Sequence, residues 1–148
     1  MDGFLIREAT PQDVFGISVV EKSCFSVPTS KELFDAALAH PDWHYFVIEY
    51  EKKIVGYCGI YLILDEGQIG NIGILPEFRS RGFGLALMDH IISFCEKSDI
   101  KTITLEVRES NMVARNLYTK LGFVIVGSRR NYYVKPVENA ILMDKKLD

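Results

Sequence analysis

Residues 75–85 read Leu75-Pro76-Glu77-Phe78-Arg79-Ser80-Arg81-Gly82-Phe83-Gly84-Leu85, a loop in which two arginines and two glycines lead into a helical pattern. From there Leu85, Met88, Ile91, Ile92 and Cys95 keep the 3.6-residue period of an amphipathic helix. A helix N-terminus presents unpaired N–H groups and positive potential, glycines let a phosphate approach the backbone, and arginines add charge-assisted contacts. The segment suits a diphosphate. A P-loop is excluded, because no Gly-Lys-Ser/Thr follows. A dinucleotide fingerprint would share Gly82, Gly84 and an acid about 20 residues on, at Glu106, but Leu87 stands at its third glycine position and the loop from Pro76 is too long for its tight turn. The plain alternative is that the glycines only start a helix.

Upstream, Phe4 to Arg7 reads as a short strand, and Thr10-Pro11-Gln12-Asp13 as a helix start with Thr10 as N-cap, for a helix reaching about Cys24. Ser30 caps a second short helix whose stripe is Leu33, Phe34, Ala37 and Leu38, stopped by His40-Pro41. Trp43 to Tyr50 and Ile54 to Leu64 form a hairpin around Glu51-Lys52-Lys53, and Gly67 to Leu75 continues it as a meander. Downstream, Thr102 to Val107 alternates strictly, which puts Glu106 on the face opposite Ile103, Leu105 and Val107. Asn111 caps a helix ending at Gly122, with Val113, Leu117 and Leu121 in one row and Ala114 and Tyr118 in the next. Strands over Phe123 to Val134 and Val137 to Leu147 close the chain. The expected fold is a single α/β domain over residues 1–148, its mixed, mostly antiparallel twisted sheet flanked by about four helices.

Composition narrows the function classes. The 148 residues are 48% hydrophobic and 25% charged, which excludes disordered and collagen-like chains. No apolar run approaches the roughly 18 residues of a membrane span, and the start lacks a basic, then apolar, secretory signal, so a cytoplasmic protein without a membrane partner is expected. Cys24, Cys58 and Cys95 are odd in number and lack metal-ligand spacing, so they are read as buried, inert thiols; His40, His44 and His90 are scattered surface or boundary residues, and no metal is expected. The net charge of −3 divides into −6 over residues 1–66 and +3 over residues 67–148. An anionic ligand fits the second half, whereas an acidic protein without dense basic runs disfavours nucleic acid.

The stretch Arg79-Ser80-Arg81-Gly82-Phe83-Gly84 resembles the acetyl-CoA motif of the GCN5-related N-acetyltransferase (GNAT) superfamily, and the order of elements is similar from end to end. Asn71-Ile72-Gly73-Ile74, Leu105 to Asn111, Leu117 to Phe123, Arg129 to Tyr133 and Glu138 to Met143 resemble, more narrowly, the bacterial ribosomal-protein-alanine N-acetyltransferases. One departure stands at Phe25 to Ser30, where those enzymes tend to carry Phe-Pro-Trp-Ser. The resemblance implies acetyl-CoA as co-substrate, held by Ile72, Gly73, Ile74, Arg79, Ser80, Arg81, Gly82, Phe83, Gly84, Leu85 and Asn111. It implies Glu106 as general base and Tyr118 as general acid, acting on a protein N-terminus as partner, foremost the N-terminal alanine of small-subunit ribosomal protein eighteen. Tyr132 and Tyr133 would either pack the sheet or grip the acceptor peptide. Another protein N-terminus or a small amine is the alternative acceptor, and a CoA-binding sensor without turnover the alternative of another class.

Overall fold

A two-residue turn at Glu51 and Lys52, both left-handed with φ of 51° and 64°, joins strand β2 (Trp43–Tyr50) to strand β3 (Lys53–Ile63), the geometry whose twist matches a hairpin. The computed structural model describes residues 3–25 and 28–147. Strand β1 (Phe4–Glu8) precedes helices α1 (Val14–Cys24) and α2 (Lys31–Ala39); after the hairpin come β4 (Glu66–Ile74), α3 (Phe83–Lys97), β5 (Thr102–Arg108), α4 (Met112–Lys120), β6 (Val124–Val134) and β7 (Val137–Lys146). They build one seven-stranded sheet in the order β1-β2-β3-β4-β5-β7-β6.

Helices α2 and α4 start at the expected caps, whereas the Thr10 side chain makes no capping hydrogen bond and α1 begins only at Val14, with Asp13 in the N-cap position. The Thr10 N–H donates to the Asp13 carboxylate (2.7 Å) at a short 3-10 turn, Pro11–Asp13, that leads into α1. Ser30 Oγ accepts from Leu33 N–H, and Asn111 Oδ1 from Ala114 N–H (3.2 Å). Gly122, at φ 96°, ends α4: its own N–H reaches Thr119 O and that of Phe123 reaches Tyr118 O, which closes the helix in a Schellman motif.

Helices cover both faces of the sheet. Leu87, Met88, Ile91 and Cys95 of α3 and Tyr118 of α4 pack on Phe46, Cys58, Ile60, Ile103 and Leu105, while Val14, Ile17 and Val20 of α1 and Phe34 of α2 pack on Val47, Val55 and Tyr57. Four side chains depart from the expected stripes, among them Val113 of α4, which is 86% exposed. Leu85 is 43% exposed, and Phe83 and Leu87 take its place in the core, because α3 begins at Phe83 and its buried row runs 83, 87, 91, 95. Leu33 is 63% exposed, and Phe34 alone of α2 is buried. Cys24 is half-buried, unlike the buried Cys58 and Cys95.

The feature that positions the site is the junction of β4 and β5, the one parallel pair among the described strands. It pairs only Glu66–Gln68 with Thr102–Thr104. Beyond it β4 stays paired with β3 to Ile74 and β5 with β7 to Arg108, so the facing edges, residues 69–74 and 105–108, lack a strand partner in the middle of the sheet. An unpaired strand edge offers N–H and C=O groups to a ligand.

Candidate active site

At the end of β4 the chain passes Leu75, a 3-10 turn (Pro76–Phe78) and the arginine loop before entering α3. Two residues there are left-handed, Ser80 at φ 63° and Gly82 at φ 84°, and Gly82 is the N-cap of α3. The N–H groups of Arg81 through Leu85 donate to no backbone or side-chain acceptor among the described residues. Five donors at one helix start form the kind of nest that holds a phosphate oxygen, so the residues present fit a diphosphate. Gly84 leaves its face open: a Cβ there would meet only Leu117 Cδ2, at 3.6 Å.

The two arginines differ. Arg79 is tied back to the strand end, its Nε donating to Ile74 O (3.0 Å) and its terminal nitrogen lying 3.3 Å from Cys24 Sγ. Arg81 lies over the Phe78 ring, 5.1 Å from the centroid. Gly73 is packed against α1, where a Cβ would meet Cys24 Sγ at 3.1 Å, and Ile72 and Ile74 lean on the α3 side.

Glu106 rises from the unpaired edge of β5 into a cavity of about 720 Å³ on the sheet face opposite α3 and α4. Gln68 and Gly70 of β4, Trp43, Tyr61 and Tyr132 share its wall. The nearest cation is Arg129, with Nε 3.5 Å from the Glu106 carboxylate. Tyr118 sits across the sheet, 4% exposed, with its ring against Phe123. Burial pushes its hydroxyl pKa up, so it stays protonated at neutral pH. That hydroxyl bonds to no described residue, yet no fully buried polar side-chain atom is left unpaired, so it keeps access to solvent or ligand. Glu106 and Tyr118 thus lie on opposite faces of the sheet, and Asn111 caps α4, the helix that carries Tyr118.

Several residues that frame the site carry no motif. Arg108 donates to Pro136 O (2.9 Å), Lys135 O (3.1 Å) and Glu138 Oε1 (3.2 Å), and lies 4.3 Å from the Tyr133 ring centroid, clasping the β6–β7 hairpin. Glu138 also accepts from Ser110 N–H, and these donors hold its pKa below the usual carboxylate range. His40 is exposed, as expected of a surface or boundary residue, and lines the cavity beside Trp43. Glu21, 1% exposed, accepts from Tyr57 and Thr29; a lone acid within the apolar row Ile17, Val20, Cys24 is the sequence signal that would have found it. The segment from Phe25 to Ser30 includes Ser26 and Val27, which lie outside the described residues. Among the described residues no three metal-ligating side chains cluster, and no helix is long and apolar enough to cross a membrane.

Comparison with known proteins gives this geometry its setting. The sequence profile of the acetyltransferase (GNAT) family matches residues 13–123. A Bacillus subtilis relative, provisionally named a [ribosomal protein bS18]-alanine N-acetyltransferase, is 37% identical over 93% of this chain and 92% of its own length. The Escherichia coli protein named [ribosomal protein bS18]-alanine N-acetyltransferase is 34% identical over 84% of each chain. The crystal structure of the ribosomal-protein-S18-alanine N-acetyltransferase from Escherichia coli superposes with a TM-score of 0.91 at 30% identity, covering 98% of this chain and 94% of that one. The loop at Gly82, the parted strands and these matches together place the chain in the GNAT family of acetyl-CoA-dependent acetyltransferases.

Proposed function

We propose that the protein acetylates the α-amine of a protein N-terminus in the cytoplasm, foremost the N-terminal alanine of ribosomal protein bS18, with residues 1–148 acting as one catalytic domain. The observation that carries the reading is the cavity at Glu106, wide enough for a polypeptide end and walled by Trp43, Tyr61 and Tyr132. The names borne by the Bacillus subtilis and Escherichia coli relatives support the same acceptor.

Acetyl-CoA, when bound, supplies an acyl carbon joined to a thiolate leaving group. In this reading the open N–H groups of Arg81 to Leu85 and the side chains of Arg79, Ser80 and Arg81 hold its diphosphate, and Asn111 touches it from the α4 cap. The outward N–H groups of Ile72 and Ile74, on either side of Gly73, hold the pantetheine and draw charge from the thioester oxygen. Glu106 takes a proton from the acceptor's ammonium, directly or through water, so that the free amine attacks; Tyr118 donates its hydroxyl proton to the departing sulfur. A free α-amine has a pKa of about 8 against about 10.4 for lysine, so a single carboxylate suffices near neutral pH.

The acidic first half of the chain would steer a basic acceptor, and the more basic second half suits the anionic donor. Steady-state rates on a basic Ala peptide, a neutral Ala peptide and a polyamine, each at low and high salt, test the reading. The basic peptide is expected to be fastest, with an advantage that shrinks as salt rises. Preference for the polyamine would overturn the protein N-terminus as acceptor and leave the acetyltransferase chemistry standing.

A further inference from the structure

The cavity at Glu106 does not end at Trp43. A second cavity of about 410 Å³ shares His40, Trp43 and Gly70 with it and runs on beneath α2. Its walls are aromatic. Trp43 and Tyr45 stack at 5.7 Å with an interplanar angle of 18°, Tyr45 and Tyr57 continue the stack at 6.3 Å and 27°, and Phe34 meets Tyr45 and Tyr57 edge-on.

Behind this wall lies the carboxylate of Glu21. Its Oε2 accepts from the Tyr57 hydroxyl (2.5 Å) and Asn71 Nδ2 (3.5 Å), and its Oε1 accepts from Thr29 N–H (3.0 Å). Both oxygens accept and neither donates, and all three donors line the cavity. No lysine, arginine or histidine pairs with Glu21 among the described residues, in contrast to the other buried acid, Asp13, which holds Arg7 at 2.7 Å. A carboxylate taken out of water without a cation projects its field through the low-dielectric wall. Tyr45, which faces the cavity, has its pKa pushed up to about 12, by burial first and by Glu21 second.

Tyr57 and Phe34 are closed off at 0% and 1% exposed, so the partly exposed Trp43 and Tyr45 present the aromatic surface that a cation would meet in front of the Glu21 carboxylate, a flat cation best. Resting on the reading of a protein N-terminus as acceptor, we infer that this second cavity is a specificity pocket for a cationic side chain, arginine before lysine, carried a few residues behind the amine that is acetylated at Glu106. The pocket reads sequence where the acidic half of the chain only attracts charge.

Peptides that begin with alanine and carry a single arginine at position 2, 3 or 4, each paired with its citrulline counterpart, separate the two effects. Citrulline keeps the shape and loses the charge. At one position the arginine peptide is expected to show at least a tenfold higher kcat/KM than its citrulline partner, and to keep that advantage at high salt. In Glu21→Gln, which preserves an acceptor for Tyr57, and in Trp43→Leu, the ratio is expected to fall below threefold. Acetyl-CoA affinity by calorimetry serves as the check that each variant is folded. Equal ratios at all positions that vanish with salt, or a ratio unchanged in the folded Glu21→Gln variant, overturn the pocket alone. Turnover of small amines with no peptide acetylated overturns the acceptor reading and the pocket with it.

Discussion

The Glu106 carboxylate and the Arg129 guanidinium approach to 3.5 Å although β7 lies between their strands, so Arg129 reaches over a neighbour to stand beside the proposed base, where the acceptor's ammonium would arrive in that reading. The Arg129 side chain is 59% exposed and that of Glu106 33% exposed, and a pair in such contact with water adds little to stability. Arg129→Gln is expected to change the melting temperature negligibly. Its effect falls on catalysis: a cation beside the bound amine favours the deprotonated form, so removing it moves the pH profile of kcat, which reports the bound complex, toward alkaline pH. An unshifted profile would place Arg129 outside the acceptor site.

The proposed base and acid separate by pH. Glu106→Gln is expected to lower kcat by roughly 10²- to 10⁴-fold, most severely at low pH where the amine is protonated, with partial recovery as pH rises. Tyr118→Phe removes a proton donor whose pKa burial already raises, so alkaline pH gives no recovery. Two variants with the same profile would contradict the division of roles.

At the loop, Gly84→Leu tests the acyl donor's seat. The position is helical, and the added Cβ meets Leu117 at an ordinary 3.6 Å, so the fold is expected to survive. The side chain would project over the open N–H groups and weaken acetyl-CoA binding at least tenfold by calorimetry. Unchanged affinity would move the diphosphate elsewhere.

Local signals were legible because they are written in adjacent residues. Strict alternation put Glu106 on the face opposite Leu105, Asn111 was readable as a cap, and the glycines at 82 and 122 sit at left-handed helix boundaries. What could not be read depends on distant partners. Leu85 fits a helical period but stands two residues from both Phe83 and Leu87, about 200° around the helix from each, so it faces outward while they are buried. Glu21 looks like one acid on a helix until Tyr57, 36 residues away, bonds to it. The unpaired edges of β4 and β5 follow from the length of their shared ladder, which alternation in one strand does not encode.

The Arg7–Asp13 pair gives the fold a pH dependence. Asp13 is nearly buried and accepts from Arg7 at 2.7 and 2.9 Å and from Thr10, and the Arg7 hydrogen bonds hold its pKa below the unfolded value of 3.8. A depressed carboxylate stabilises the fold above the unfolded pKa and loses that contribution as pH falls through the folded one. Asp13→Asn is expected to cost about 1–2 kcal/mol at pH 7. The gap between variant and parent in urea melts should close below about pH 4; a constant gap from pH 7 to pH 3 would contradict the pairing.

Arg108 links the two halves of the site. Two residues beyond Glu106 on β5, it binds both carbonyls at the tip of the β6–β7 hairpin, pairs with Glu138 and stacks on Tyr133, while Tyr132 on the same hairpin lines the cavity. A planar fork can make these contacts together, and a lysine ammonium cannot. Arg108→Lys should therefore loosen the hairpin that borders the acceptor while the Gly82 loop, on the other side of the opening, stays as it is. The expected result is an acceptor KM raised roughly tenfold, or about 1.4 kcal/mol, with acetyl-CoA affinity within twofold of the parent. Equal loss of both affinities would mean that Arg108 supports the whole cleft, and an unchanged acceptor KM that the hairpin keeps its place without the clasp.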